Sequence, residues 1–331
     1  MLYCNTEKHL VISVSYDQQG VICALVNSSG DIVRKTSVDR APEDPSDLVE
    51  LIACSVNRLT ENHPCQLIGM GVSDPGMIDY STGRIVRSSR FLRWRNVRLA
   101  DLLSEKVSLP VLVENSARTR AIAEYMIRPE LRESGSSMLY LDYGRGVGCA
   151  LVTPEGVWRG EGFSGELGHV VVDADGRLCG CGARGCLESL TGTLPLEEKA
   201  ESLLAQGVGS VLHGVKAPKA TAICKAALGA DRMAKGLVDE ITSQLGLAIA
   251  FMVAGFHPKY VVVGAESEDQ IKCLSGQLES VIQNRILPEI ALSVQIVEGR
   301  ESGPMALVGA ALIVFQETIL HEGQAAIRAY A

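Results

Sequence analysis

The sequence has no excess of basic charge: 31 Lys and Arg stand against 39 Asp and Glu, a formal net charge of −8 over 331 residues. Chains that grip nucleic acid through their own surface are more often basic, so direct contact with DNA is not expected of it. It has no charged–apolar–small leader at its start and no apolar run approaching twenty residues. A signal peptide and a membrane span are therefore not expected. Cys4, Cys54, Cys65, Cys224 and Cys273 lack redox spacing, and His9, His63, His213, His257 and His321 lack Cys or carboxylate partners at ligand spacing. Of the ten cysteines, several sit in apolar runs such as those around Cys23 and Cys149, which suits a reducing cytoplasm better than a disulfide scaffold.

What is there is apolar enough, at 47%, to bury a full core in two lobes of one enzyme-like unit. His9 to Val26 reads as two strands joined by a turn, and Ile32 to Val38 as a third. Asp44-Pro45-Ser46-Asp47 is a helix start before Leu48 to Leu59. Leu67 to Val72 and Val111 to Val113 are short strands, and Ala117 to Met126 a helix. The βββαβαβα order suggests one α/β lobe. Met138 to Val152 repeats the strand–turn–strand pattern. Helices are expected at 196–204, 220–228 and 231–254, strands at 260–264 and 293–297, and a last helix at 305–320.

The densest chemistry lies between Gly165 and Glu188. One imidazole, His169, and three thiols, Cys179, Cys181 and Cys186, fall within eighteen residues, separated by glycines that let the backbone turn around a small ion. Zn²⁺ takes four nitrogen or sulfur ligands tetrahedrally, and a site closed by four protein ligands is structural. Cys-x-Cys is too close to form a comfortable disulfide with itself.

Gly165-Glu166-Leu167-Gly168-His169 followed by Cys179-x-Cys181-Gly-x-x-Gly-Cys186-x-Glu188 resembles the signature of the ROK family of repressors, open reading frames and sugar kinases. The resemblance extends over nearly the whole chain. It takes in Ser73-Asp74-Pro75-Gly76-Met77-Ile78-Asp79, Trp94 and Gly309-Ala310-Ala311. It implies a two-lobed, actin-like ATPase fold with a structural zinc on His169, Cys179, Cys181 and Cys186. The lobes are expected at 1–116 plus 304–331 and at 117–303. It also implies that Gly76, Asn115, Glu166, His169 and Glu188 contact a sugar, with His169 touching both metal and sugar.

The kinase parts of the pattern are altered. Family kinases carry Asp-x-Gly-Gly-Thr at the first hairpin, where glycines admit phosphates and the acid helps place Mg²⁺. This chain reads Ser15-Tyr16-Asp17-Gln18-Gln19. The kinases' Glu-Asn-Asp-Ala, whose Asp takes the hydroxyl proton, is here Glu114-Asn115-Ser116-Ala117. A serine is too weak a base unless another group activates it, and Asp74 is the one nearby candidate to replace it. Gly-Thr-Gly-x-Gly has become Gly144-Arg145-Gly146-Val147-Gly148, and the late Gly-Gly is Gly264-Ala265. The sugar and metal elements are intact while the nucleotide elements are degenerate, so ATP and Mg²⁺ are not expected cofactors.

Arg84, Arg87, Arg90, Arg93, Arg95 and Arg98 crowd one fifteen-residue segment, with Arg118, Arg120 and Arg145 elsewhere. They read as a solvated, ion-paired loop, as a phosphate-reading set, or as a subunit contact. The expectation for the whole is a catalytically inactive, cytoplasmic sugar-binding protein, the effector-sensing part of a transcriptional regulator. Its effector would be a monosaccharide or sugar phosphate, and it would be a homodimer or homotetramer. It would meet DNA only through a helix-turn-helix that this chain does not include. The alternatives are an ATP-dependent sugar kinase with divergent motifs and a scaffold with a vestigial site.

Overall fold

The apolar alternation at the start of the chain closes into a tight hairpin. β1 (His9–Asp17) and β2 (Gly20–Val26) pair antiparallel from Val11↔Val26 to Asp17↔Gly20, leaving only Gln18 and Gln19 in the turn. In a computed structural model of the chain, the described residues are 9–61, 65–88, 90, 91, 93–132 and 135–330, with 319–330 described as helix backbone. Cys4 and His63 lie outside them, as does the side chain of His321.

β3 (Ile32–Asp39) adds to β2, and α1 (Pro45–Thr60) starts where expected. The Asp44 carboxylate accepts the Ser46 N–H at 2.8 Å, and Pro45 supplies a fixed φ at the first turn. β4 (Gln66–Asp74) returns parallel to β1. After it come β5 (Met77–Asp79), β6 (Arg84–Arg87), β7 (Arg95–Val97), α2 (Leu99–Val107), β8 (Val111–Asn115) and α3 (Ser116–Ile127). The main sheet runs β3-β2-β1-β4-β8. Its strands are apolar on both faces: Leu10, Ile12 and Val14 join the core with Leu48, Ile52 and Trp94, while Val11, Ala24 and Val26 meet Leu307, Ala311 and Phe315. The arginine-rich segment expected as a loop is instead a small antiparallel sheet, β5-β6-β7, pinned by buried Ile78, Ile85 and Trp94. Strands of three or four residues with arginines at every second or third position show too little apolar alternation to be read as strands.

The second unit contains α4 (Pro129–Arg132), β9 (Met138–Tyr143), β10 (Val147–Thr153), β11 (Gly156–Val157), α5 (Leu187–Thr191), α6 (Thr193–Ala205), α7 (Ala220–Leu228) and α8 (Arg232–Phe256). It ends with β12 (Tyr260–Ala265), α9 (Glu268–Gln283), α10 (Pro288–Ala291) and β13 (Gln295–Glu301), the last starting two residues later than expected. Its sheet runs β11-β10-β9-β12-β13, again three antiparallel strands followed by two parallel ones. Leu139, Leu141, Val261 and Val263 pack beneath Leu245, Ile249 and Val253 of α8 and Leu274 and Leu278 of α9. By length and composition alone α8 could cross a membrane, contrary to the expectation of no such run. However, 56% of its apolar window is buried in this core, as the central helix of a packed domain is.

α11 (Ser302–Tyr330) closes the chain, and from Gly303 it belongs to the first unit. It lies so close to β4 and α3 that a Cβ on Gly71 would sit 1.8 Å from the Ala310 carbonyl oxygen, and one on Gly309 1.7 Å from that of Thr119. The contacts divide the chain into 1–127, 159–164 and 303–331 on one side and 128–158 with 165–302 on the other. In this grouping α3, which packs on β4 and α11, falls with the first unit. A short segment, Arg159–Ser164, also docks on the first unit.

Candidate functional site

Two clusters carry the chemistry, one in each unit. In the second, the 3-10 turn Leu167–His169 and the loop after it fold back through two isolated bridges, Val171↔Cys186 and Leu178↔Arg184. Gly182 and Gly185 adopt φ of +97° and +68°, and a Cβ on Gly185 would meet the Asp173 carbonyl oxygen at 1.4 Å. The Cys179 N–H donates to the Ala183 oxygen at 2.8 Å. This knuckle brings together the four residues singled out by spacing. The ligand atoms of His169, Cys179, Cys181 and Cys186 all lie within 4.8 Å of one another. Cys179 Sγ is 3.6 Å from His169 Nδ1, and Cys181 Sγ is 3.5 Å from Cys186 Sγ. A tetrahedron with metal–sulfur bonds of about 2.3 Å has sulfur–sulfur edges of about 3.8 Å, so the set fits one metal ion. Burial, then the neighbouring thiols of Cys181 and Cys179, push the Cys186 thiol up to about 12. A divalent cation relieves such crowding by taking the sulfurs as thiolates.

Glu188, in the first turn of α5, is half-buried and accepts the Val147 N–H at 3.2 Å. Gly168 allows this packing. A Cβ there would lie 2.1 Å from the Val147 oxygen and 3.2 Å from Glu188 Cβ. The His169 N–H donates to the Glu166 oxygen, so Glu166, His169 and Glu188 share one small neighbourhood within the unit.

The glycine loop of the β9–β10 hairpin is near it in sequence but is engaged with its own surroundings. Gly144 N–H donates to the Gly146 oxygen, and the Gly144 oxygen accepts the Thr193 N–H at the start of α6. Glu266 Oε1 stands 3.1 Å from where a Cβ on Gly144 would be, and Arg145 is exposed. Gly264 accommodates the Tyr140 ring, whose hydroxyl would lie 1.8 Å from an added Cβ.

In the first unit, Asn115 and Gly76 meet: Asn115 Nδ2 donates to the Gly76 oxygen at 2.9 Å. Asn115 Oδ1 accepts from Ala117 N at 2.9 Å and Arg118 N at 3.3 Å, capping α3. Ser116 follows. Among the described residues no side chain hydrogen-bonds its hydroxyl, and its backbone oxygen accepts from Thr119 Oγ1. Asp74, the candidate to replace the missing base, is 1% exposed. Its Oδ1 accepts the Gly76 N–H at 2.5 Å and its Oδ2 accepts the Tyr16 hydroxyl. Burial raises its carboxyl to about 6 despite both bonds. At the β1–β2 turn, the Asp17 carboxylate accepts the N–H groups of Gln19 (2.7 Å) and Gly20 (3.2 Å). Ser15 is an ordinary ladder residue between Ile22 and Ser73.

The arginines divide. Arg84 pairs with Asp79 at 3.4 Å and Arg98 with Asp101 at 2.5 Å, both at the surface. Arg118, one of the set read either as ion-paired or as phosphate-reading or as a subunit contact, is 1% exposed and holds Glu114. Sequence reading passed over Glu114, Arg159 and the Tyr16–Asp74 pair. Only the i,i+4 spacing of Glu114 and Arg118 offered a signal. In the core of the second unit the buried thiols of Cys224 on α7 and Cys273 on α9 perturb each other, a meeting that spacing does not show.

The ROK family model matches residues 11–317. Among curated relatives, a putative xylose repressor of Caldicellulosiruptor sp. is 27% identical over 86% of this chain and 73% of its own length. A glucokinase of Halalkalibacterium halodurans is 32% identical over 81% of this chain and 83% of its own. Among solved structures, a ROK family transcriptional regulator described as a homolog of the E. coli MLC protein superposes with a TM-score of 0.84. It is 24% identical and covers 94% of this chain and 78% of that one. The two-sheet α/β architecture is therefore that of the actin-like ROK fold, and the chain belongs to the ROK family.

Proposed function

We propose that this chain is a sugar-binding regulator of the ROK family that has lost phosphoryl transfer. One observation carries the reading: among the described residues no side chain hydrogen-bonds the Ser116 hydroxyl, and Asp74 is held against Tyr16 and Gly76. The hairpin amides support it. Gln19 and Gly20 donate to a carboxylate, so neither is directed at a phosphate, and Glu266 lies against Gly144.

In this reading Gly76, Asn115, Glu166, His169 and Glu188 hold the hydroxyls of a monosaccharide or its phosphate. Zinc on His169, Cys179, Cys181 and Cys186 fixes the loop that carries His169. The protein acts in the cytoplasm as a homo-oligomer whose output is transcription. A thermal-shift series against hexoses, pentoses, N-acetyl sugars, their phosphates and Mg-ATP tests this, because a ligand that binds only the folded state raises its melting temperature. The expected result is a rise with one sugar and none with Mg-ATP. A clear Mg-ATP rise coupled to sugar-dependent ADP release would overturn it. It would favour the second reading, a sugar kinase, which the 32% identity to a glucokinase supports.

A further inference from the structure

Glu114 is 1% exposed, yet its carboxylate collects three donors. Oε1 accepts the Asn115 N–H and Arg118 Nε, each at 2.7 Å, and Oε2 accepts Arg159 Nε at 2.7 Å. Arg118, equally buried, also donates through Nη1 to the Ser164 oxygen at 2.8 Å, and its Nη2 has no partner among the described residues. Arg159 is 27% exposed and lies over the Tyr80 ring at 3.7 Å, while the Tyr80 hydroxyl donates to Glu317. Both arginines thus secure Arg159–Ser164, the short segment inserted in sequence between Trp158 and Gly165. A carboxylate held on both oxygens by charged Nε donors from two arginines has little freedom to rotate, and the amide it orients is that of Asn115.

We propose that Glu114, clamped by Arg118 and Arg159, is a positioning residue that fixes Asn115 for its ligand. This rests on the sugar-binding reading above. The side chain of Asn115 already spends its oxygen on α3 and one N–H on Gly76. Its remaining freedom is set by its own backbone, which Glu114 holds. Arg159 therefore acts on a ligand it need not touch.

The test uses Arg159→Ala, because removing Glu114 would strand the buried Arg118 charge and endanger the fold. The sugar found in the thermal-shift series is titrated calorimetrically into wild type, Arg159→Ala, Asn115→Ser (which keeps a capping oxygen) and the double variant. Arg159→Ala should weaken binding about tenfold, the loss expected when a charged hydrogen bond behind a ligand is removed, with the melting temperature of the unliganded protein little changed. The double variant should bind no more weakly than Asn115→Ser, since residues acting through one another are not additive. Chymotrypsin should cut faster after exposed Phe163 in the released segment. Unchanged affinity, additive losses or unchanged cleavage would each overturn the proposal. Wild type that binds no sugar would instead overturn the sugar-binding reading, and this assignment with it, before any variant is compared.

Discussion

The two units carry five-stranded sheets of the same order, three antiparallel strands and then two parallel ones, yet their first hairpins are built differently. The β1–β2 turn is two glutamines closed by the Asp17 carboxylate. The β9–β10 turn keeps Gly144, Gly146 and Gly148. A pattern of glycines does not by itself mark a phosphate loop. Gly168 and Gly165, in the adjoining motif, are glycines because backbone oxygens of Val147 and Cys149 each lie 2.1 Å from where a Cβ would be. Gly144 faces only the end of the Glu266 side chain. Some glycines are demanded by packing, and others are left where nothing has replaced them.

The sharpest contrast is between the His169–Cys186 knuckle and everything else near it. Cys181 is only half-buried, so a change in side-chain size there has room. Cys181→Ser should nonetheless cost about 4 kcal/mol or more, because loss of a structural metal removes folding energy directly. Elemental analysis of wild type should give about one zinc per chain. The variant should lose that zinc and its melting temperature together. A variant that unfolds no earlier while losing its metal would show the knuckle to be decorative.

Next come the glycines. Gly168→Ala forces a Cβ against backbone and should cost about 3 kcal/mol, whereas Gly144→Ala meets a flexible carboxylate and should cost under about 1 kcal/mol. Urea denaturation of the pair measures the difference. Equal losses would mean that the β9–β10 turn is held as tightly as the metal motif.

Asp74 separates the first unit from the second through pH. Burial lifts its folded-state value to about 6, above the ordinary 3.8, so the folded protein holds this proton more tightly than the unfolded chain does. The contribution is fully present below about pH 4, is lost as pH rises toward 6, and is flat beyond. The loss amounts to up to about 3 kcal/mol. Asp74→Asn keeps an oxygen for the Gly76 N–H and should flatten this slope, gaining on wild type at pH 7.5 relative to pH 4. Melting curves at the two pH values decide it.

How far the sequence foretold these regions depended on the range of the interactions. Strand β12 and the start of α1 were legible because apolar runs and an Asp-Pro cap are local signals. The cluster of His169, Cys179, Cys181 and Cys186 was legible for the same reason, its members lying within eighteen residues. α9 was passed over although Ser267 caps it by accepting from Gln270 N, a signal present in the sequence. The Tyr16–Asp74 and Glu114–Arg159 bonds span 58 and 45 residues. No periodicity records such meetings, and only the fold brings those residues together.

The smallest expected effect comes from the substitution that looks most like a repair. Ser116→Asp restores the carboxylate that family kinases use as a base. A well-placed base contributes about 10² to 10⁴ in rate, but only where the phosphoryl group is already held in line by loops and metal. Here Ser15 has no carboxylate for Mg²⁺, the Gln19 and Gly20 N–H groups belong to Asp17, and Glu266 stands over Gly144. Each missing part multiplies the deficit, and an Asp at 116 supplies only one of them. Sugar-dependent ADP release should therefore stay at background in Ser116→Asp. Turnover in that variant would mean that both hairpin loops can still release their amides to a nucleotide. The difference between the two halves of the family would then reside in a single side chain.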